Sequence, residues 1–193
     1  MKNLILFIAV LSVCITNAQE FQLTDKYNVA NQRTIGQEEE DTWALDVIVS
    51  ENPGNRLGTL TISDFGLLDE IRISVLKNPE LENISEVLKV TLEYNACCAS
   101  TEEFYYLVTN DNDFIALPSV KNEYGYEPIS DIHYIFPNQS FGKEGTILRA
   151  ALQYTETYTI KDIKVLRSIA WNDDDFDNDD DFDTEDAISA INY

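Results

Sequence analysis

Nine or ten short runs rich in β-branched and aromatic residues, most of them closed by Gly, Pro, Asn or Asp, leave this chain little room for a long helix. The grammar starts at Trp43. Trp43, Leu45, Val47 and Val49 alternate with Ala44, Asp46, Ile48 and Ser50, the period of a strand with its first set turned to a core. Glu51-Asn52-Pro53-Gly54-Asn55 then signals a turn. Further runs follow at Leu57 to Ser63, Glu70 to Leu76, Val87 to Tyr94, Phe104 to Thr109 and Phe114 to Leu117. Asn110-Asp111-Asn112-Asp113 has the chemistry of a hairpin loop, because Asn and Asp tolerate left-handed backbone and bond their own main chain. After a loop over Lys121 to Ser130 come Ile132 to Phe136, Thr146 to Thr155 and Tyr158 to Trp171. The expected fold is all-β: a single antiparallel β-sandwich or jelly-roll-like domain over residues 42–171.

Two segments read less plainly. Ile163, Val165, Ile169 and Trp171 share a strand face, yet Ile163, Val165, Leu166, Ile169 and Ala170 also share a helical side. The Thr, Ile, Val and Tyr content favours a strand, and Tyr154 to Thr159 a hairpin corner before it. Gln19 to Asp41 is polar and ends in Glu38-Glu39-Glu40-Asp41, which predicts a solvated segment ahead of the sandwich.

The first 18 residues have the make-up of a secretory signal peptide: basic Lys2, an apolar run from Leu4 to Val13, and small residues before Gln19. Cleavage after Ala18 is expected, giving a secreted, periplasmic or cell-surface protein. The Asn17-Ala18-Gln19 ending resembles those of exported Bacteroidota proteins, a likeness that implies nothing about activity. Lipidation at Cys14 is the rival reading, with bulky Val13 set against it. No later run reaches the roughly 20 apolar residues of a membrane helix.

With 35 acidic and 13 basic residues the chain carries a formal charge of −22, which disfavours nucleic acid and anionic membranes and favours basic partners or cations. After cleavage, Cys97 and Cys98 are the remaining cysteines, and being adjacent they cannot close an ordinary loop. Buried thiols, a vicinal disulfide and an intermolecular bridge all stay open. Without Cys-x-x-Cys spacing, redox catalysis is not expected.

Ten of the carboxylates fall within Asp173 to Asp186, where a hexapeptide built around Phe176 recurs around Phe182. Calcium takes six to eight converging oxygens, and alternating aspartates in a curled loop supply them. One register resembles an EF-hand loop: Asp175, Asp177, Asp179, Asp181 and Asp183 occupy its odd-numbered ligand places, Phe182 its apolar eighth and Asp186 its twelfth. The resemblance implies bound Ca²⁺ at those six aspartates. It departs at Asp180, where the loop's sharp turn uses glycine, and at Asp186, which is shorter than the usual glutamate. The alternative is a solvated acidic tail over 172–193, ending in a short helix around Ala187 to Ile191.

His133 is the only histidine, opposite the face of Ile132, Tyr134 and Phe136, so two-histidine metal sites are excluded and an ordinary surface or half-buried role is expected. Nucleotide-cradling glycine motifs and a Gly-x-Ser-x-Gly elbow are missing from the sequence. In Asn122-Glu123-Tyr124-Gly125-Tyr126-Glu127 two tyrosines flank a glycine, which makes Tyr124 and Tyr126 the candidate ligand-binding pair. The sequence therefore points to an exported, non-enzymatic module for a protein or glycan. A hydrolase working through two carboxylates and an assembly protein with an acidic tail are the alternatives.

Overall fold

The computed structural model describes residues 19–35, 42–62, 65–95, 99–124, 130–157 and 159–171. The expected signal peptide over residues 1–18, Cys14, Cys97, Cys98, Tyr126 and the whole acidic tract, including Asp175, Asp177, Asp179, Asp181, Asp183 and Asp186, lie outside the described residues.

The expected antiparallel β-sandwich is what forms, with eleven strands among the described residues. They are β1 (Gln22–Leu23), β2 (Tyr27–Ile35), β3 (Thr42–Val49), β4 (Asn52–Ile62), β5 (Leu68–Lys77), β6 (Ile84–Tyr94), β7 (Ala99–Thr109), β8 (Phe114–Tyr124), β9 (Ser130–Ile135), β10 (Thr146–Tyr154) and β11 (Ile160–Ala170). A five-stranded sheet runs β1-β5-β6-β7-β8, and two three-stranded sheets run β2-β3-β4 and β11-β10-β9. Apart from β1 beside β5, every pair joins consecutive strands, so the sheets are meanders built from hairpins.

The five-stranded sheet is covered on both faces, which makes three layers. Alternate residues of a strand point oppositely. Leu88, Val90 and Leu92 of β6 and Tyr106 and Val108 of β7 pack with Leu45, Val47, Leu60 and Ile62 of β3 and β4. The other parity, Val87 of β6 and Tyr105 and Leu107 of β7, packs with Tyr134, Phe136, Ile147 and Trp171. At Gly58 of β4 a Cβ would lie 2.8 Å from the Tyr106 ring, so the absent side chain is what lets this tyrosine lie against β4.

Three sequence expectations shift. Gln19 to Asp41 is not simply solvated: it contributes β1, β2 and a buried Tyr27, because β2 pairs along β3. The turn expected at Glu51–Asn55 sits one step earlier, at Ser50–Glu51, with Pro53 and Gly54 on the edge strand β4, where a missing N–H costs nothing. The loop expected from Lys121 instead continues β8 to Tyr124. The ambiguous last segment is the strand β11, paired along β10.

Candidate functional site

The inner face of the central sheet turned towards β9–β11 changes character along the strands. One cross-strand row is apolar throughout: Leu76, Val87, Leu107 and Ile115. The next is mixed, with Ser74, Lys89, Tyr105 and Leu117. Beyond it come Arg72, Thr91, Glu103 and Val120, then Glu93, Thr101 and Asn122. A register shift between β7 and β8 lies between Glu103 and Tyr105, the boundary of the two halves. Such irregularities bend a strand and re-aim its side chains.

The polar half floors an open cavity of about 610 Å³ that Ser74, Thr91, Thr101, Tyr94 and Tyr124 help to line. Apart from Asp69, its charges are compensated internally. Glu103, 5% exposed, accepts from Lys89 Nζ at 3.1 Å and from the Tyr105 hydroxyl, and its other contact is His133 Nδ1 at 3.1 Å. Arg72 pairs with Glu93. Lys89 Nζ also sits 4.9 Å from the Phe21 ring centroid, a cation–π contact that holds the ammonium in place. Ser74 and Thr91 are 8% and 7% exposed and make no side-chain hydrogen bond among the described residues, so their hydroxyls are available to a guest.

Burial alone would raise the Glu103 carboxyl; the hydrogen bond from His133 and the charges of Lys89 and His133 overcome it and bring the pKa down to about 2. Burial likewise disfavours charge on His133, yet its contacts with Asp131 and Glu103 push it up to about 9. Asp131 Oδ2 is 3.8 Å from His133 Nε2. The imidazole is therefore an imidazolium at neutral pH, clasped between two carboxylates.

β9 reaches this cluster by standing on its edge. His133 and Tyr134 point to opposite faces of β9, yet His133 meets Glu103 while Tyr134 packs T-shaped on Tyr105 with centroids 5.0 Å apart. Both contacts fall on the same face of β7 only if β9 presents its edge there. Asn122 seals that edge: its Nδ2 donates to Ile132 O at 3.1 Å and its Oδ1 accepts from Ile132 N–H at 2.8 Å. One side-chain amide thus stands in for a neighbouring strand, satisfying groups that would otherwise be orphaned.

Tyr124, picked out in the sequence, is the last residue of β8; it lines the cavity with its hydroxyl 3.3 Å from Thr101 Oγ1. Its candidate partner Tyr126 and the six aspartates proposed for calcium lie outside the described residues, and among the described residues no three His, Cys, Asp or Glu side chains cluster as a metal site would. The sequence reading missed Arg72, Ser74, Lys89, Thr91, Glu93 and Glu103. A signal existed: in β6 the odd positions Lys89, Thr91 and Glu93 stay polar while Leu88, Val90 and Leu92 stay apolar.

No helix among the described residues is long and apolar enough to cross a membrane. No family model, curated protein or solved structure matches this chain, so fold and site geometry carry the functional reading.

Proposed function

We propose that this chain is an exported, non-enzymatic binding module that takes a glycan, an uncharged polyhydroxylated ligand, in the cavity of the central sheet. The observation that carries the reading is the pair of nine-tenths-buried, unpartnered hydroxyls, Ser74 and Thr91, between two internally neutralised ion pairs, with Tyr94 and Tyr124 beside them. Sugars offer hydroxyls to such donors and acceptors and apolar ring faces to tyrosines. The volume of about 610 Å³ falls within the range of small-ligand sites. A chain of net charge −22 repels polyanions, which favours a neutral ligand.

Hydrolysis by two carboxylates is less well supported. Glu93 and Glu103 share the cavity, but a general acid needs a raised pKa and Glu103 is pulled down to about 2 by three donors. Arg72 occupies Glu93.

The test is a titration of the chain against a panel of neutral oligosaccharides. The expected result is saturable binding that weakens about fivefold in Thr91→Val, the cost of one lost hydrogen bond of about 1 kcal/mol, with the saccharide recovered intact. Absence of binding across the panel, or binding indifferent to Thr91→Val, Ser74→Ala and Tyr124→Ala together, sinks the reading. Cleaved saccharide would return the hydrolase to first place.

A further inference from the structure

We propose that Asp69 and the open main-chain edge of Ile71 form a subsite at the rim of the cavity that selects sugars by a vicinal diol. The proposal rests on the glycan reading of that cavity and names the group recognised there.

β5 is only partly paired on its outer side. β1 meets it at Val75 and Ser74, and Thr24 N–H then donates to Ile73 O at 3.2 Å before the chain crosses to the sheet β2-β3-β4. In an antiparallel ladder every second residue of an edge strand turns both its N–H and its C=O outward, so the next such residue after Ile73 is Ile71. Those two groups make no hydrogen bond among the described residues, because β5 has no neighbour on that side beyond β1. A register shift between Leu68 and Glu70 ends the regular edge immediately beyond. The open stretch is therefore one residue long, a single donor beside a single acceptor. It is too short to seat a peptide strand.

This edge lies at the cavity. Asp69 and Arg72, on either side of Ile71 in the chain, both line it, and Ser74 continues the same wall. Arg72 is held by Glu93, whereas the exposed Asp69 carboxylate has no hydrogen bond or ion pair among the described residues. Leu23, opposite Ser74 on the same wall, is 76% exposed and offers apolar surface to the C–H face of a sugar ring.

Two hydroxyls on adjacent ring carbons are spaced like the N–H and C=O of one extended residue. One hydroxyl accepts from Ile71 N–H and donates its own proton to Asp69, a charge-assisted hydrogen bond; its neighbour donates to Ile71 C=O. The fold closes an equivalent edge with its own chemistry: the Asn122 amide donates to Ile132 O at 3.1 Å and accepts from Ile132 N–H at 2.8 Å. At Ile71 no side chain of the described residues plays that part, and a diol supplies the same donor and acceptor. Asp69 also sets the sign of the ligand, because an anionic group at this rim would meet an unpaired carboxylate.

The test follows the amide resonances of the full chain as methyl glucoside, methyl mannoside and methyl galactoside are added, each beside its monodeoxy analogues. The Ile71 amide should shift saturably together with Thr91. Affinity should fall about fivefold or more for the two analogues that lack one or other hydroxyl of a single adjacent pair. Asp69→Asn, a change at an exposed position, should weaken binding about tenfold. Binding that moves Thr91, leaves Ile71 still and is as tight in Asp69→Asn overturns the subsite while the glycan reading stands. Dependence on one hydroxyl without its neighbour overturns it as well. If neither these hexosides nor the neutral oligosaccharides shift Thr91 or Ile71, the glycan reading falls and the subsite with it.

Discussion

One face of the central sheet is two surfaces. At one end Leu76, Val87, Tyr105 and Leu107 are almost wholly buried beneath Tyr134, Phe136, Ile147 and Trp171. At the other, Arg72, Lys89, Thr91, Glu93 and Glu103 line an open cavity on the same strands. The division falls between Tyr105 and Glu103, neighbours on that face of β7 joined by a hydrogen bond from the tyrosine hydroxyl to the carboxylate. The apolar end gains stability from exclusion of water, whereas the polar end keeps water-accessible hydroxyls at the expense of covering area. A covered apolar half and an open polar half are thus separated along the strand rather than between domains.

The comparison can be broken most forcefully at the apolar end. Leu107→Ala at a fully buried position should cost about 2–5 kcal/mol in a denaturant titration, while leaving the cavity's hydroxyls where they are. At the polar end, Thr91→Val should change stability by under about 0.5 kcal/mol and act on binding instead. Equal losses from the two would mean that the halves are not distinct.

Glu103→Gln probes the boundary itself. Relative to a usual carboxyl value of 4.5, a folded value of about 2 corresponds to about 3 kcal/mol by linkage. The His133 shift from 6.5 to about 9 has a similar size and counts much of the same contact, so the two are not added. The glutamate contribution is fully present above pH 4.5 and is lost as pH falls towards 2. The histidine contribution is fully present below pH 6.5 and is lost as pH rises through 9. This cluster therefore stabilises the fold most between about pH 4.5 and 6.5, with losses on both sides. Because His133 is the only histidine, its proton resonance titrates alone. Its midpoint should fall from about 9 towards or below 6.5 in Glu103→Gln, and an unmoved midpoint would separate it from Glu103.

Smaller effects sharpen the picture at its edges. Gly58→Ala drives a Cβ into the Tyr106 ring on the opposite face and should cost about 1–3 kcal/mol. Asn122→Ala removes both hydrogen bonds to Ile132 and should cost about 1–2 kcal/mol, with faster exchange of the Ile132 amide as the local sign. Unchanged exchange there would mean that the β9 edge is closed by something else.

How much of this the sequence shows depends on whether a feature is local. The hairpin at Asn110–Asp113 was legible because its chemistry lies in four residues: Thr109 N–H donates to Asp113 O at 2.9 Å and Asn112 takes a φ of 65°. The strands from Trp43 to Trp171 were legible from alternation and turn residues, and His133 was expected opposite Tyr134, where it is. Tyr124 was legible as an aromatic beside a glycine, although the cavity it lines was not. By contrast Tyr27 gave no core signal, since its polar segment is ordered only by pairing with β3.

Taken alone, the sequence determined that the chain would form short antiparallel strands, where many of its hairpins turn, and that its balance of charge is strongly acidic. Period-2 alternation splits each strand into two sets of side chains without saying which set is covered, or by what. Tertiary structure decided that a third sheet covers the central one, that Lys89, Thr91 and Glu103 meet in one cavity, and that the edge of Ile71 is left open at its rim. Those juxtapositions depend on register between strands distant in the chain, and register is set by the sum of cross-strand packing, which no single segment contains.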